Sequence, residues 1–99
     1  MESINIAVVS GQITADAKFD QDDHGRQYCT FEVTTYRSVG KGDDKELLAE
    51  KHTVKLMNPK TISRHLRKGK PVMIQGRIIP EDGVLASTVH FPESRTKQD

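Results

Sequence analysis

The sequence is poor in the residues that build large cores or covalent frameworks. It has no tryptophan, two tyrosines, three phenylalanines and one cysteine, and 34% of its 99 residues are hydrophobic. A single cysteine excludes an internal disulfide, so Cys29 is predicted to pack in the core of a protein from a reducing compartment, the cytoplasm. No stretch approaches the roughly 20 apolar residues of a membrane span, and the N-terminus has no basic leader, so we expect neither a span nor a signal peptide. Length predicts one domain over residues 1–99, with a small core that favours self-association.

Acidic residues are missing from residues 51–80, and this gap is the strongest bias in the composition. The segment holds eight Lys and Arg residues and no Asp or Glu, whereas residues 1–50 carry a net charge of −5 and residues 81–99 a net charge of −2. Such a separation of charge favours a polyanionic partner. A solvated helix face followed by a basic turn would give the same pattern, so charge alone leaves both interpretations open.

Motifs for catalysis and metal binding are also missing. The four histidines (His24, His52, His65 and His90) lie in different predicted elements and lack metal-ligand spacing. Ser10 lacks the Gly-x-Ser-x-Gly context of a nucleophile elbow, and no glycine-rich loop could cradle a phosphate. We therefore expect a binding protein that is not an enzyme and that uses no metal or other cofactor.

Apolar and polar residues alternate with the period of β-strands in five segments. The predicted strands cover residues 5–14, 27–39, 50–57, 72–78 and 84–91. Asn58 and Pro59 predict the start of a helix that runs to about Lys68 and ends at Gly69. A polar tail is predicted from about residue 92.

This order of elements predicts the fold. Three strands, a helix and two strands form the sequence of an all-β OB-fold, a five-stranded antiparallel Greek-key barrel with one short helix between strands 3 and 4. Ile62 and Leu66 give the predicted helix one narrow apolar stripe. That stripe would cover the open bottom of the barrel.

Several segments resemble bacterial single-stranded DNA-binding proteins. NIAVVSGQITAD from Asn5 resembles their opening strand, FEVTT from Phe31 their second and HTVKLM from His52 their third. LRKGKPVMIQGRI from Leu66 resembles the most recognisable part of the family, where a helix end and a Lys-Gly turn lead into a strand that closes on Gly-Arg. The resemblance covers residues 4–91. It implies an OB-fold, a homodimer or homotetramer, and single-stranded DNA binding without catalysis in DNA replication, recombination or repair.

The sequence departs from the family where bases would stack. Lys51 and Met57 stand at third-strand positions that are usually aromatic, and the turn at 80–83 is too short for an aromatic arm. The family's long tail with an acidic tip has no counterpart. Base stacking contributes about 1–3 kcal/mol per base, so a face with only Tyr28 and Tyr36 would rely more on phosphate neutralisation.

These departures support a second hypothesis. The chain also has some likeness to primosomal replication protein N, a dimeric OB-fold protein of replication restart. It could therefore be an OB-fold interaction module of a primosome-like complex, with replication proteins as partners and weak or no DNA binding. The predicted face does not discriminate DNA from RNA, so RNA stays open as a ligand.

Strand alternation defines the predicted nucleic-acid-binding face. Side chains opposite the apolar face of strands 2, 3 and 4 would line a groove, and cations of the loop after strand 2 would close over a bound strand. Cross-strand packing of the tyrosines and an ion pair between Arg77 and Glu32 are structural alternatives. The predicted binding residues are Tyr28, Thr34, Tyr36, Arg37, Lys41, Lys45, Lys51, Lys55, Met57 and Arg77.

Overall fold

Five strands closed into a barrel make up the computed structural model, which describes residues 2–92. Neighbouring strands follow the order β1-β2-β3-β5-β4, and all pairs are antiparallel except β3 with β5. This architecture confirms the predicted all-β OB-fold. The predicted tail lies outside the described residues. The strands are β1 (Ala7–Gln21), β2 (Gln27–Val39), β3 (Glu46–Met57), β4 (Pro71–Ile79) and β5 (Gly83–His90).

Strand β1 pairs with two neighbouring strands, β4 and β2. Its first half pairs with β4 from Ala7 to Gln12, and its second half pairs with β2 from Gln12 to Gln21. Two register shifts along the second half bend the strand, as β-bulges do. The prediction that the strand ends at residue 14 is wrong, because the bulges interrupt the alternation of side chains without ending the pairing.

The segment between β3 and β4 is a 3-10 helix over Lys60–His65, shorter than the helix predicted from Pro59 to Lys68. Asn58 has a φ of 58° and Lys60 a φ of 47°, so the chain enters the helix through left-handed residues. An N-cap residue normally has an extended backbone, and Asn58 therefore cannot start a regular α-helix. Leu66 is nevertheless buried and Ile62 packs against the core, in keeping with a plug.

The core consists of inward-facing side chains from all five strands and the plug. Ile13, Val33, Val54 and Ile74 are fully buried at its centre. The buried cluster contains Val9, Ile13, Cys29, Phe31, Val33, Val54, Leu56, Leu66, Val72, Ile74, Val84 and Ala86. Within residues 2–92, no helix is long and apolar enough to cross a membrane.

The side chain of Asn5 extends the pairing of β1 with β4 beyond the barrel. Its Nδ2 donates a hydrogen bond to the carbonyl of Ile78 at 2.8 Å, and its Oδ1 accepts one from the Ile78 N–H at 2.9 Å. Ile78 pairs with the buried Val84, so it lies on the core side of β4, as the alternation from Val72 and Ile74 predicts. It is nevertheless 57% exposed, because β4 has passed the end of the core there.

Gly76 lies where the backbone of β5 passes close to β4. A Cβ atom at this position would overlap the backbone carbonyl of Leu85 and crowd the backbone of Ala86. The backbone φ of Gly76 is not positive, so steric room rather than conformation requires glycine here.

Cys29 is fully buried, and burial raises the pKa of its thiol to about 11 from an ordinary value of 9.0. The thiol therefore contributes stability below pH 9 that is lost as the pH rises toward 11, because the unfolded chain ionises first. We expect about 2–3 kcal/mol of destabilisation across this window in urea titrations, absent in Cys29→Ala. A thiol reagent that labels the native protein as fast as the unfolded one would contradict the buried position.

Candidate nucleic-acid interface

Three cations lie in one row that crosses every strand of the barrel. Strand registers pair Lys18 with Thr30, Thr30 with Lys55, Lys55 with Leu85, and Leu85 with Arg77. Paired residues of neighbouring strands place their side chains on the same side of a sheet. We call Lys18, Lys55 and Arg77 the cationic row.

The cationic row runs around the barrel rather than along one flat side. Adjacent strands lie about 4.8 Å apart, so Lys55 and Arg77 are about 10 Å apart along the sheet. Leu85 lies between them on β5. Arg77 is therefore in register with Lys55, but both β3 and β5 lie between it and the tyrosines of β2, and the predicted single groove becomes a band around the barrel.

Tyr28, Lys55 and Met57 come together on the outer face of β2 and β3, as predicted. The Lys55 Nζ lies 4.4 Å from the centre of the Tyr28 ring, a cation–π contact, and Met57 pairs directly with Tyr28. The stacking surface of Tyr28 and the charge of Lys55 are thus held next to each other. A base and its phosphate could meet both groups at once.

The hairpin of β2 and β3 carries the next predicted residues away from the barrel. Lys51 pairs with Thr34, and Tyr36 pairs with Ala49 one step further out; both Lys51 and Tyr36 are exposed. Lys41 and Lys45 flank a 3-10 helix over Gly42–Asp44 at the tip. These four residues form an exposed arm that continues the face of Tyr28 and Lys55.

Arg37 does not belong to this face. It lies in β2 on the opposite side from Tyr36, and its Nε bonds to the carboxylate of Glu50 at 2.8 Å. The hydrogen bond and charge of Arg37 lower the pKa of Glu50. Arg37 was predicted to close over a bound strand together with Lys41 and Lys45, but its place in β2 turns its side chain to the other side, and its charge is already paired with Glu50.

Thr34 is on the predicted side of β2 but is not accessible. Its side chain is 2% exposed, and its hydroxyl lies 2.8 Å from that of Thr14. A ligand on the outer face could not reach it, so the prediction of Thr34 as a binding residue is corrected. Thr14, which the bulge in β1 brings over β2, covers it.

The basic turn of residues 66–70 packs against β1 rather than beside the tyrosines. Gly69 N donates to the carbonyl of Ile13 at 2.7 Å, and Lys68 N donates to the carboxylate of Asp16 at 2.7 Å. These bonds fix the turn along the side of β1. Its exposed cations add to the field around the barrel more than to the face of β2 and β3.

Sequence reasoning missed Lys18 and Phe19, which lie in the second half of β1. Phe19 is 54% exposed and lines a small pocket together with Tyr28 and Pro59. The position of Lys18 could have been inferred from the turn at Asp22–Arg26. Counting residues outward from this turn along both strands places Lys18 opposite Thr30. Phe19 pairs with the buried Cys29, so its ring lies on the core side of β1 at the end of the barrel and not on the outer face of Tyr28 and Lys55.

We expect Tyr28→Ala to weaken binding of oligo-dT about fivefold to tenfold, because one stacking contact contributes about 1–3 kcal/mol. Fluorescence anisotropy of a labelled oligonucleotide at fixed salt would measure the change. Tyr28→Leu, which retains apolar area without a flat ring, provides the control for lost packing. Equal affinities of the wild type and the alanine variant would remove Tyr28 from the interface.

The acidic turn before β2 is held by its own hydrogen bonds. Asp22 accepts from the backbone N–H groups of Arg26 and His24 at 2.9 Å each, and its Oδ2 lies 2.9 Å from the Arg26 Nε. The backbone hydrogen bond from Arg26 is the main cause of the lowered pKa of Asp22. Across the described part of the chain, no cluster of three or more His, Cys, Asp or Glu could hold a metal ion.

The barrel and its band of cations and rings define an OB-fold protein of the nucleic-acid-binding class. A model of the single-strand binding protein family matches residues 4–81, and the chain belongs to this family. Because the family consists of binding proteins, the expectation that the chain is not an enzyme is confirmed.

A solved structure agrees with the fold. The SSB of Plasmodium falciparum, in its complex with ssDNA, superposes with a TM-score of 0.77 at 16% sequence identity. The match covers 92% of this chain and 96% of that chain. No curated protein sequence matches the chain.

Proposed function

We propose that this protein binds single-stranded DNA without reading a defined sequence and that it acts in DNA replication, recombination or repair in the cytoplasm. The observation that carries the proposal is the cationic row, in which Lys55 also contacts the ring of Tyr28. Family membership supports the same ligand. Phosphates would bind along the cations, and bases would stack on the few exposed rings.

Phosphate neutralisation supplies most of the proposed affinity. Two tyrosines of the outer face lie near the row: Tyr28 is half-buried, and Tyr36 is exposed further along the hairpin. Lys41, Lys45 and Lys51 add charge along the same arm. Binding dominated by lysine and arginine falls steeply as salt rises, with a slope set by the number of neutralised phosphates.

Self-association through β1 is part of the proposal. The first half of β1 pairs with β4 on one side, whereas its pairing with β2 on the other side begins only at Gln12, so Ala7–Ser10 have one edge unpaired among the described elements. Ile4, Ile6 and Val8 are 62–85% exposed next to this edge. An apolar strand with a free edge is a template for pairing with a second copy, as a homodimer or as part of a homotetramer.

Titration of labelled oligo-dT at several salt concentrations tests the ligand, with a duplex of equal length as competitor. We expect tight binding at low salt, a steep decrease with salt and weak competition by duplex. Absence of binding at low salt, or equal affinity for duplex, would overturn the proposal. Light scattering with and without oligo-dT tests the oligomer, and a monomeric mass at micromolar concentration would exclude it.

A protein-interaction module remains the second candidate, because the outer face of the hairpin exposes Leu47 as well as Tyr36. Exposed apolar side chains of this kind mark protein contacts. Retention of replication proteins after nuclease treatment, combined with no binding of oligo-dT, would favour this function over DNA binding.

A further inference from the structure

A carboxylate lies in the middle of the proposed DNA-binding face. Glu32 is half-buried on the outer side of β2, where it pairs with Ala15 of β1 and Thr53 of β3. The neighbouring rows carry Lys18 and Lys55 on one side and Lys51 on the other. Phosphate binding does not explain a negative charge at this position, since it would repel the backbone of a bound strand.

No Lys or Arg side chain within residues 2–92 forms an ion pair with the Glu32 carboxylate. The ion pairs in the described part of the chain join Arg26 to Asp22 and Arg37 to Glu50. The predicted alternative of an Arg77–Glu32 pair is not formed, because two strands separate these residues. Glu32 therefore keeps its hydrogen-bonding capacity for another partner.

A bulge in β1 fixes the orientation of the carboxylate. The register passes from Ile13 opposite Val33 to Ala15 opposite Glu32, so Thr14 and Ala15 both face Glu32. The Thr14 hydroxyl donates to Glu32 Oε1 at 2.7 Å, and it then accepts from the buried hydroxyl of Thr34 at 2.8 Å. Bulges commonly re-aim a side chain next to a functional site. Glu32 Oε2 accepts no hydrogen bond from residues 2–92 and is free for a ligand.

A shallow pocket bordered by Glu32 has room for the edge of a base. Its lining includes Glu32, Thr30, Thr53 and Lys18. Asp16 also borders the pocket, but its Oδ1 accepts from the Lys68 backbone N–H at 2.7 Å. A carboxylate held by the Thr14 hydroxyl thus borders the place where bases would lie beside the cationic row.

A carboxylate only accepts hydrogen bonds, and this property discriminates among bases. Cytosine presents its N4 amino group, adenine its N6 amino group and guanine its N2 amino group as donors, and Glu accepting from cytosine N4 is an established pairing. Thymine presents the acceptor O4 at the position where cytosine has its amino group, and its one base donor, N3–H, lies between two carbonyl oxygens that would repel a carboxylate. The face of Glu32 is therefore unfavourable for thymine.

We propose that Glu32, positioned by Thr14, gives this protein a preference for bases with an exocyclic amino group over thymine. The inference rests on the proposed function and deepens it: cations hold the backbone, and one carboxylate selects among the bases. It concerns base composition, and a defined recognition sequence is not required.

The test compares oligo-dC with oligo-dT in wild type and Glu32→Gln, at one salt concentration and at neutral pH. The amide of Gln both donates and accepts, so it removes the discrimination while keeping size and the contact to Thr14. We expect the ratio of dC affinity to dT affinity to fall about fivefold to tenfold in the variant, the size of one hydrogen bond to a charged group. Dividing by the wild-type ratio cancels differences in strand flexibility.

Two further variants distinguish the effect of the position of the Glu32 carboxylate from the effect of its charge. Thr14→Val keeps the carboxylate but releases it, and we expect a reduced dC-to-dT ratio with an unchanged salt slope. Glu81→Gln makes the same charge change in the turn between β4 and β5 and should leave the ratio unchanged. Equal ratios in wild type, Glu32→Gln and Thr14→Val, with binding intact, would overturn the inference and leave the proposed function standing. No binding of either oligonucleotide by wild type at low salt would overturn the proposed function itself.

Discussion

Replacing Lys18, Lys55 and Arg77 together with alanine is expected to lower the affinity for single-stranded oligonucleotides roughly 100-fold at low salt. Each cation neutralises about one phosphate, and each neutralised phosphate contributes about 0.7 to the salt slope of single-strand binding. The slope of log affinity against log salt should therefore decrease by about 2. Anisotropy titrations with oligo-dT at four or more salt concentrations would measure both quantities.

A matched variant removes three cations elsewhere. Arg64, Arg67 and Lys68 are exposed in the 3-10 helix and the basic turn, on the β1 side of the barrel. Alanine at these positions makes the same change in net charge, and we expect a much smaller loss of affinity from weaker long-range attraction. Equal losses in the two triple variants would mean that net charge, and not the row, determines binding. Thermal unfolding of both variants confirms that each is folded at the assay temperature.

Gly76→Ala is expected to destabilise the fold by at least about 4 kcal/mol, which is a large part of the stability of a domain of this size. The added methyl group would overlap the carbonyl of Leu85, and backbone atoms of a paired strand cannot move aside as a side chain can. Circular dichroism during urea titration would show a much lower midpoint, or no folded baseline at all.

Gly25→Ala provides the control for this result. Gly25 has a φ of 79°, and nothing lies within 4 Å of a Cβ added there. Alanine at this position should cost only the roughly 1–2 kcal/mol of a left-handed backbone. A similar effect of the two substitutions would contradict the close approach of β4 to β5 at Gly76.

The order of elements could be predicted because the alternation of side chains is strong in β2 to β5. The second half of β1 could not, since its two bulges break the alternation that runs from Ala7 to Ile13, and only Ala17 and Phe19 continue it within DAKFDQ. The sequence pattern also did not reveal that the helix is of the 3-10 type. Asn followed by Pro is typical of a helix start, but the left-handed backbone of Asn58 turns the chain differently.

The site was predictable to the extent that alternation determines it. The alternation of side chains along each strand placed Tyr28, Lys55 and Met57 on one face, and the structure brings them together. Alternation does not reveal what covers a face, so the burial of Thr34 under the bulged residue Thr14 could not be predicted. Nor does it reveal how far apart two strands lie around a barrel, which is why Arg77 was assigned to the same groove as the tyrosines.

The path of the cationic row selects for a bendable ligand. A polymer that contacts Lys18, Lys55 and Arg77 must curve around a cylinder only a few strands wide. Duplex DNA resists bending over about 150 base pairs, whereas a single strand turns within a few nucleotides. Stiffness alone would thus keep a double helix from touching all three cations, and the protein would distinguish the two forms of DNA without recognising any chemical group that differs between them.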